Sequence, residues 1–369
     1  MSQVIDGQGY DGAVLRAAMA RALTLAADDD VPLGPNPRVG CVLLGPDGAT
    51  VAEGHHRGAG TPHAEAAALA AAAPGAARGA TAVVTLEPCR HTGRTGPCAQ
   101  ALIEAGVARV VYAQADPNPV AAGGAEVLRA AGVEVVGGLL AEEAERLNRA
   151  WSFGVRHQRP LVTWKLATTL DGRSAAADGT SRWVSSRAAR LDTHRLRAEA
   201  DTMLVGTGTV LVDDPALTVR DAHDRPVGRQ PLRVVMGERD VPADRRVLDP
   251  TLSGGAPSLH LRTRDPREAL ARLWELDRRH VFLEGGPTLA AAFLTAGLVD
   301  EVVAYVAPMF LGAGLSSVGD LGISTVTDAL RPAVTDVTVL PPDPDEPGDA
   351  PNVRLTLSTH TSPQKTKEH

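Results

Sequence analysis

Short apolar runs along this chain alternate with stretches whose apolar positions recur at helical spacing, and Gln158-Arg159-Pro160 interrupts the alternation. Leu15, Met19, Ala22 and Leu23 form the apolar side of a helix that Asp11 caps and that runs to about Ala27. Gly34-Pro35-Asn36-Pro37-Arg38 is a turn by composition. Val39 to Leu44 and Thr50 to His55 read as strands joined by the hairpin turn Gly45-Pro46-Asp47-Gly48, with His55 and His56 as solvated strand-end residues. Pro62 opens a helix through Ala73, which puts His63 and Glu65 in its first turn, and Ala80 to Leu86 is the next strand. Cys98 begins a helix over Ala99 to Ala105; strand Ala108 to Ala113, helix Gly124 to Ala131 and strand Val133 to Val136 follow. This β-α-β order predicts a mostly parallel sheet with helices on its faces. Glu142 to about Arg156 reads as a single helix.

A second series of strands begins at Leu161. Leu161 to Thr169 is apolar apart from Lys165, Leu170-Asp171-Gly172-Arg173 is a turn, and Ser186 to Glu199 is a helix. Strand Thr202 to Val205 runs into Gly206-Thr207-Gly208-Thr209. Leu232 to Met236, Ser258 to Leu261 and His280 to Leu283 are further strands, the last leading through Glu284-Gly285-Gly286-Pro287 into a helix from Thr288 to Thr295. Val299 to Val306, Val334 to Leu340 and Val353 to Ser358 close the series, with Pro341 to Pro351 as a solvated hairpin loop. Met1 to Gly9 and Ser362 to His369 are expected to be disordered ends.

At 369 residues the chain has room for two domains, each with its own core. Its net charge of -7 and the lack of any basic block argue against a nucleic-acid partner. No segment reads as a signal peptide or a bilayer span, so no membrane association and a cytoplasmic location are expected. With three cysteines, two of them in a metal-like context, no disulfide framework is expected, and Cys41 reads as a buried strand residue.

Those two cysteines carry the clearest chemistry. His63-Ala64-Glu65, Glu87-Pro88-Cys89 and Cys98 supply one imidazole, two thiols and a carboxylate. A catalytic zinc takes three protein ligands and keeps a position open, whereas a structural zinc needs four closed ligands, and a fourth cysteine is lacking. His63, Cys89 and Cys98 are the candidate ligands and Glu65 the proton shuttle, in the His-x-Glu order of zinc-dependent base deaminases. The polar, basic loop from Arg90 to Pro97 between the cysteines suits an anionic substrate. In the second half, Gly285 and Gly286 let backbone approach a ligand, and Pro287 at a helix start leaves amides directed outward, a candidate pyrophosphate site.

The order His63-Ala-Glu65, Leu86-Glu-Pro-Cys89, Cys98, Asp116-Pro-Asn-Pro119, Leu170-Asp-Gly172, Ser181-x-Trp183, Val205-Gly-x-Gly-Thr-Val210, Asp213 to Arg220 and Glu284-Gly-Gly-Pro287 is similar to that of the bifunctional riboflavin-biosynthesis deaminase/reductase family. The resemblance implies an α/β chain: a cytidine-deaminase-like three-layer domain over residues 11–147, a helix end and linker over 148–160, and a dihydrofolate-reductase-like α/β domain over 161–360. It implies one Zn2+ in the first domain and NADPH in the second. The expected substrate is a small phosphorylated pyrimidine, deaminated and then reduced from ribosyl to ribityl, and a homo-oligomer is expected.

Several residue roles follow from the resemblance or stand as candidates beside it. Positions matching the family's reductase substrate contacts are Ser181, Arg197, Leu217, Arg220 and Glu284, where the two arginines suit a phosphate. Those matching its cofactor contacts are Ala167, Trp183, Thr209, Asp213, Gly286, Pro287 and Thr288, although Trp183 by itself reads equally as core. Lys165 and Glu284 are the candidate acid/base pair. His91 and Arg94 are candidates for gripping the phosphoribosyl group, and Asn36 for reading the pyrimidine edge. One departure concerns the cofactor: Glu238 stands where the family shows a small hydroxyl residue, which is awkward for a 2′-phosphate unless Arg239 compensates.

Overall fold

The computed structural model describes residues 12–91, 96–343 and 349–360; Arg94, both chain ends and part of the Pro341 to Pro351 segment lie outside them. The chain divides into two compact units, Met1–Gln158 and Arg159–His369.

The first unit runs α1 (Gly12–Ala26), β1 (Gly40–Leu44), β2 (Thr50–His55), α2 (Ala64–Ala71), β3 (Thr81–Leu86), α3 (Cys98–Glu104), β4 (Arg109–Gln114), α4 (Gly124–Ala130), β5 (Glu134–Gly137), α5 (Ala141–Leu147) and α6 (Arg149–His157). Its sheet has the order β2-β1-β3-β4-β5. The sheet is mixed rather than mostly parallel: β1 pairs antiparallel with both β2 and β3, and only β3–β4 and β4–β5 are parallel. The cause is the path of α2, which carries the chain from β2 back past β1, so β3 runs with β2 but pairs with β1.

Buried Leu15, Met19 and Ala22 of α1 and Ala144 of α5 pack one face of this sheet. Ala64 and Ala68 of α2, Ala99 and Leu102 of α3, and Leu128 of α4 pack the other. Three layers result.

The single helix expected from Glu142 to Arg156 is broken at Asn148. The Asn148 amide is buried and closes a two-bond loop on Arg38, accepting from the Arg38 N–H at 2.8 Å and donating to its carbonyl at 2.9 Å. Side-chain bonding to main chain competes with helix continuation, and here it wins because the partner is a distant turn that needs both groups satisfied.

The second unit comprises β6 (Leu161–Thr169), β7 (Arg173–Ala175), α7 (Arg187–Ala198), β8 (Thr202–Gly206), α8 (Thr207–Asp213), β9 (Leu232–Met236), β10 (Ser258–Leu261), α9 (Pro266–Glu275), β11 (His280–Leu283), α10 (Pro287–Thr295), β12 (Glu301–Ala307), β13 (Leu315–Ser316), β14 (Ala333–Leu340) and β15 (Asn352–Ser358). Its main sheet has the order β10-β9-β8-β11-β6-β12-β15-β14. The strands from β10 to β12 in that order are parallel, and β15 and β14 add antiparallel. Two helices go beyond the sequence reading, α8 and α9. The start of α9 carries a standard signal: the Asp265 carboxylate accepts from the Arg267 N–H at 2.8 Å and Pro266 occupies the first turn.

Parallel pairing places the carboxyl ends of β6, β11, β8 and β9 along one edge of the sheet. Ligands of open α/β sheets bind outside that edge.

Candidate active sites

In the first unit three elements converge on one point. His63 caps α2 from just outside it, rather than lying in the first turn, and Glu65 is the second helical residue. Cys89 follows β3, and Cys98 is the first residue of α3. The Nδ1 of His63 lies 3.2 Å from the Cys98 sulfur and 3.7 Å from that of Cys89. The ligand atoms of the three residues all fall within 4.8 Å of one another, and both cysteines are buried.

A hydrogen bond joins the two sulfurs. The Cys98 thiol hydrogen bond lowers the Cys89 pKa to about 4, with His63 and the Cys98 N–H adding to it, and raises Cys98 correspondingly. One imidazole nitrogen and two sulfurs at this spacing suit a tetrahedral zinc with one position open, so the donor set fits the implied metal.

Glu65 is only 4% exposed, and no salt bridge to it forms among the described residues. Burial raises its pKa above the usual carboxylate range.

Supporting residues hold the ligands. Glu87 is buried and accepts from the N–H groups of Gly123 and Ala125, both at 3.1 Å, and of Asp116 at 3.3 Å. Gly124 must be glycine, because a Cβ there would meet the Pro88 carbonyl at 1.7 Å. Together these contacts fix the turn that delivers Cys89. Burial raises the neighbouring Asp116 to about 6.

His56 is a correction to the sequence reading. It is 4% exposed, not solvated, with its Nε2 2.8 Å from the Asn36 amide nitrogen and its Nδ1 3.0 Å from the Pro62 carbonyl. Its ring stands edge-on to His63, with centroids 5.4 Å apart. The spacing of His56 from the cysteines carried no metal signal, and its place as a support for Asn36 rests on contacts that only the fold creates. His91 is half-buried, while Arg94 is outside the described residues.

The second unit gathers charge at the carboxyl edge of its sheet. Arg197 binds Glu284 through both carboxylate oxygens, at 2.6 and 2.8 Å, and donates its third nitrogen to the Thr218 carbonyl at 2.9 Å. Burial pushes the Glu284 pKa up, but the Arg197 pairing, with Lys165 and His194 behind it, outweighs this and brings it to about 2. Half-buried Lys165 of β6 is lowered by burial, with Glu284 partly offsetting this.

Arg197 therefore has each nitrogen engaged by groups held inside the fold, whereas Arg220 Nη1 pairs at 2.7 Å with Asp224, whose side chain is 77% exposed and is the partner a phosphate displaces more readily. Arg220 gives its Nε to Thr218 Oγ1 at 2.8 Å and its main-chain N–H to His194 Nδ1 at 3.2 Å. Buried Leu217 holds a positive φ of 54° in the same loop. His194 went unread in the sequence, although it sits one helical turn before Arg197 and thus on the same face of α7; burial lowers it to about 4.

Trp183 is 63% exposed, which removes the core reading, and the Arg190 guanidinium lies 4.5 Å above its ring. Arg182 beside it donates to the carbonyl of Asp213 at 3.2 Å. Ser181 is half-buried nearby in sequence, and Ala167 lies on β6 two residues beyond Lys165.

Gly286 caps α10 without a side-chain bond, Pro287 opens the helix, and Thr288 is exposed. A Cβ on Gly286 would lie 3.6 Å from Thr209 Oγ1, so the starts of α10 and α8 come together here. An uncapped helix start at such a point fits a dinucleotide pyrophosphate.

Comparisons with known proteins agree with this division. Residues 14–114 match a family model described as the cytidine and deoxycytidylate deaminase zinc-binding region, and residues 160–343 one described as the RibD C-terminal domain. The riboflavin biosynthesis protein RibD of Mycobacterium tuberculosis is 53% identical over 310 residues, covering 84% of this chain and 89% of that protein. That of Escherichia coli is 41% identical over 359 residues, covering 88% and 96%. Among solved structures, Acinetobacter baumannii RibD matches with a TM-score of 0.78 at 36% identity, covering 94% of this chain and 99% of that one. A Thermotoga maritima diaminohydroxyphosphoribosylaminopyrimidine deaminase/5-amino-6-(5-phosphoribosylamino)uracil reductase matches at 0.77 and 33%, with the same coverage.

Proposed function

Because the chain belongs to the RibD family, the bifunctional deaminases and reductases of riboflavin biosynthesis, we propose that it takes 2,5-diamino-6-(5-phosphoribosylamino)pyrimidin-4-one through both steps. The 2-amino group leaves as ammonia in the first unit. The ribosyl side chain becomes ribityl in the second. The deaminase half carries the zinc-binding region and the reductase half is NADPH-dependent.

His63, Cys89 and Cys98 hold the metal, which when bound supplies an activated water. Glu65 accepts a proton as water adds to the ring carbon and returns it to the departing amine. Its raised pKa suits both halves of that exchange. Asn36, held by His56, reads the pyrimidine edge, and His91 and Arg94 take the phosphoribosyl group.

In the second unit the furanose ring opens by breaking its C1′–O bond, leaving a C1′=N bond, and bound NADPH would supply the hydride that C1′ takes up. Lys165 is the proton donor for the adjoining nitrogen, because burial weakens its hold on the proton. Glu284, held near a pKa of about 2, is a fixed negative charge that orients Lys165 and the substrate rather than an acid. Arg220 takes the substrate phosphate, with Ser181 and Leu217 as further substrate contacts. Trp183, Ala167, Thr209, Asp213 and the Gly286 to Thr288 run hold the cofactor.

A cytoplasmic homo-oligomer is part of this reading. No helix among the described residues is long and apolar enough to cross a membrane. The outermost strand β14 exposes Val334, Val337 and Val339, an apolar edge of the kind that a second copy covers.

The observation that carries the reading is the His63, Cys89 and Cys98 cluster beside a buried carboxylate without a salt bridge. Ammonia release from the diamino ribotide, followed by NADPH oxidation, tests it. Release of ammonia without oxidation leaves only the first half standing.

A further inference from the structure

Within the NADPH-dependent reading, the edge of the second sheet raises a question of selectivity. Just beyond β9, Gly237 adopts a positive φ of 137°, and its missing side chain lets Thr207 close in: a Cβ there would meet Thr207 Oγ1 at 2.7 Å. The turn sends the next two side chains to different partners. The Glu238 carboxylate meets Arg264 at 3.0 Å. Arg239 instead reaches to the start of α8, its Nε 3.4 Å from Thr207 Oγ1 and its terminal nitrogen over Gly208, where a Cβ would stand 3.0 Å away.

The arginines at this edge differ in one respect. Arg262 pairs with Asp240 and Arg264 with Glu238, whereas no carboxylate lies within salt-bridge distance of Arg239 among the described residues. The Arg239 guanidinium thus sits over Thr207 and Gly208 in the first turn of α8.

An acidic residue after a strand selects the ribose 2′-hydroxyl of NADH, while a nearby arginine accommodates the 2′-phosphate of NADPH. This chain presents both side by side, and their partners distinguish them: Glu238 faces the Arg264 guanidinium in an exposed pair, whereas Arg239 faces no carboxylate among the described residues. Sheet order agrees, since β9 lies on the far side of β8 and β11 from Lys165, as the adenosine end of an extended dinucleotide lies far from its nicotinamide. We propose that Arg239 is the residue that selects NADPH over NADH, by pairing with the 2′-phosphate, and that Arg264 makes this possible by holding Glu238.

Binding of the nucleotides alone tests this without turnover. Dissociation constants of the full-length protein are measured by calorimetry for NADPH, NADH, 2′,5′-ADP and AMP. Arg239→Ala is expected to weaken NADPH and 2′,5′-ADP about 10- to 100-fold, the range of a charged hydrogen-bonded pair, and to leave NADH and AMP unchanged. Arg264→Ala, which frees Glu238, is expected to weaken NADPH several-fold and spare NADH. Equal loss of NADPH and NADH in Arg239→Ala overturns the proposal by making the residue a prop of the turn, and unchanged NADPH binding overturns it outright. A wild-type protein that binds none of the four overturns the cofactor reading itself, and the proposal with it.

Discussion

Each unit buries a glutamate at its site, and the two have opposite fates. Glu65 is 4% exposed with no salt bridge among the described residues, and burial raises its pKa. Glu284, whose side chain is 11% exposed, is gripped by Arg197 through both oxygens and falls to about 2. Desolvation acts upward on both carboxylates; the presence of a guanidinium decides the outcome. The difference assigns the chemistry. A carboxylate whose pKa burial raises takes up a proton more readily and can shuttle it, while one that stays ionised can only hold charge and position.

The largest effect is expected from Glu65→Gln. Ammonia release should fall about 1,000-fold, the range for a general acid/base, while bound zinc and NADPH oxidation on the deaminated ribotide stay unchanged. Loss of zinc with activity would make Glu65 structural and end the comparison.

Next comes Glu284→Gln, which leaves Arg197 buried without its partner. Breaking such a pair costs about 3–5 kcal/mol, read as a lower denaturant midpoint for the reductase half. The double variant Arg197→Met with Glu284→Leu should recover most of that stability and none of the reduction, separating charge from packing.

Acid sharpens the contrast further. The folded pKa of Glu284, about 2, lies below the ordinary glutamate value of roughly 4.3. Its contribution is therefore present above about pH 4.3 and is lost as pH falls towards 2, a change of about 3 kcal/mol. Urea midpoints of the reductase half between pH 5 and 2.5 should show this fall in the wild type and a shallower one in the double variant.

The smallest effect belongs to Arg220→Ala. With Arg197 occupied by Glu284, Arg220 should carry the substrate phosphate, so KM for the reductase substrate should rise about tenfold with kcat little changed. An equal rise in Arg197→Lys with kcat intact would return the phosphate to Arg197.

Local pattern made much of this molecule legible. The strands of the second sheet, the helix starting at Ser186 and the metal trio are written in short segments, because each depends on neighbours a few residues away; the Asp265 cap is equally local but went unread. What escaped depends on distant partners. Asn148 breaks its helix for Arg38, 110 residues earlier. The antiparallel seat of β3 depends on where α2 crosses, and the burial of His56 depends on Asn36 and Pro62. Sequence placed Glu284 and Arg197 at the same site but left their pairing invisible. That pairing turns a candidate acid into a fixed charge and leaves the phosphate to Arg220, whose own partner Asp224 is exposed.

The most direct test of two chemically separate sites is to strip zinc with a chelator and follow both reactions on one sample. Ammonia release should vanish and return with added zinc, while NADPH oxidation on 5-amino-6-(5-phosphoribosylamino)uracil continues at its original rate throughout. Oxidation that declines in step with metal content would contradict the account.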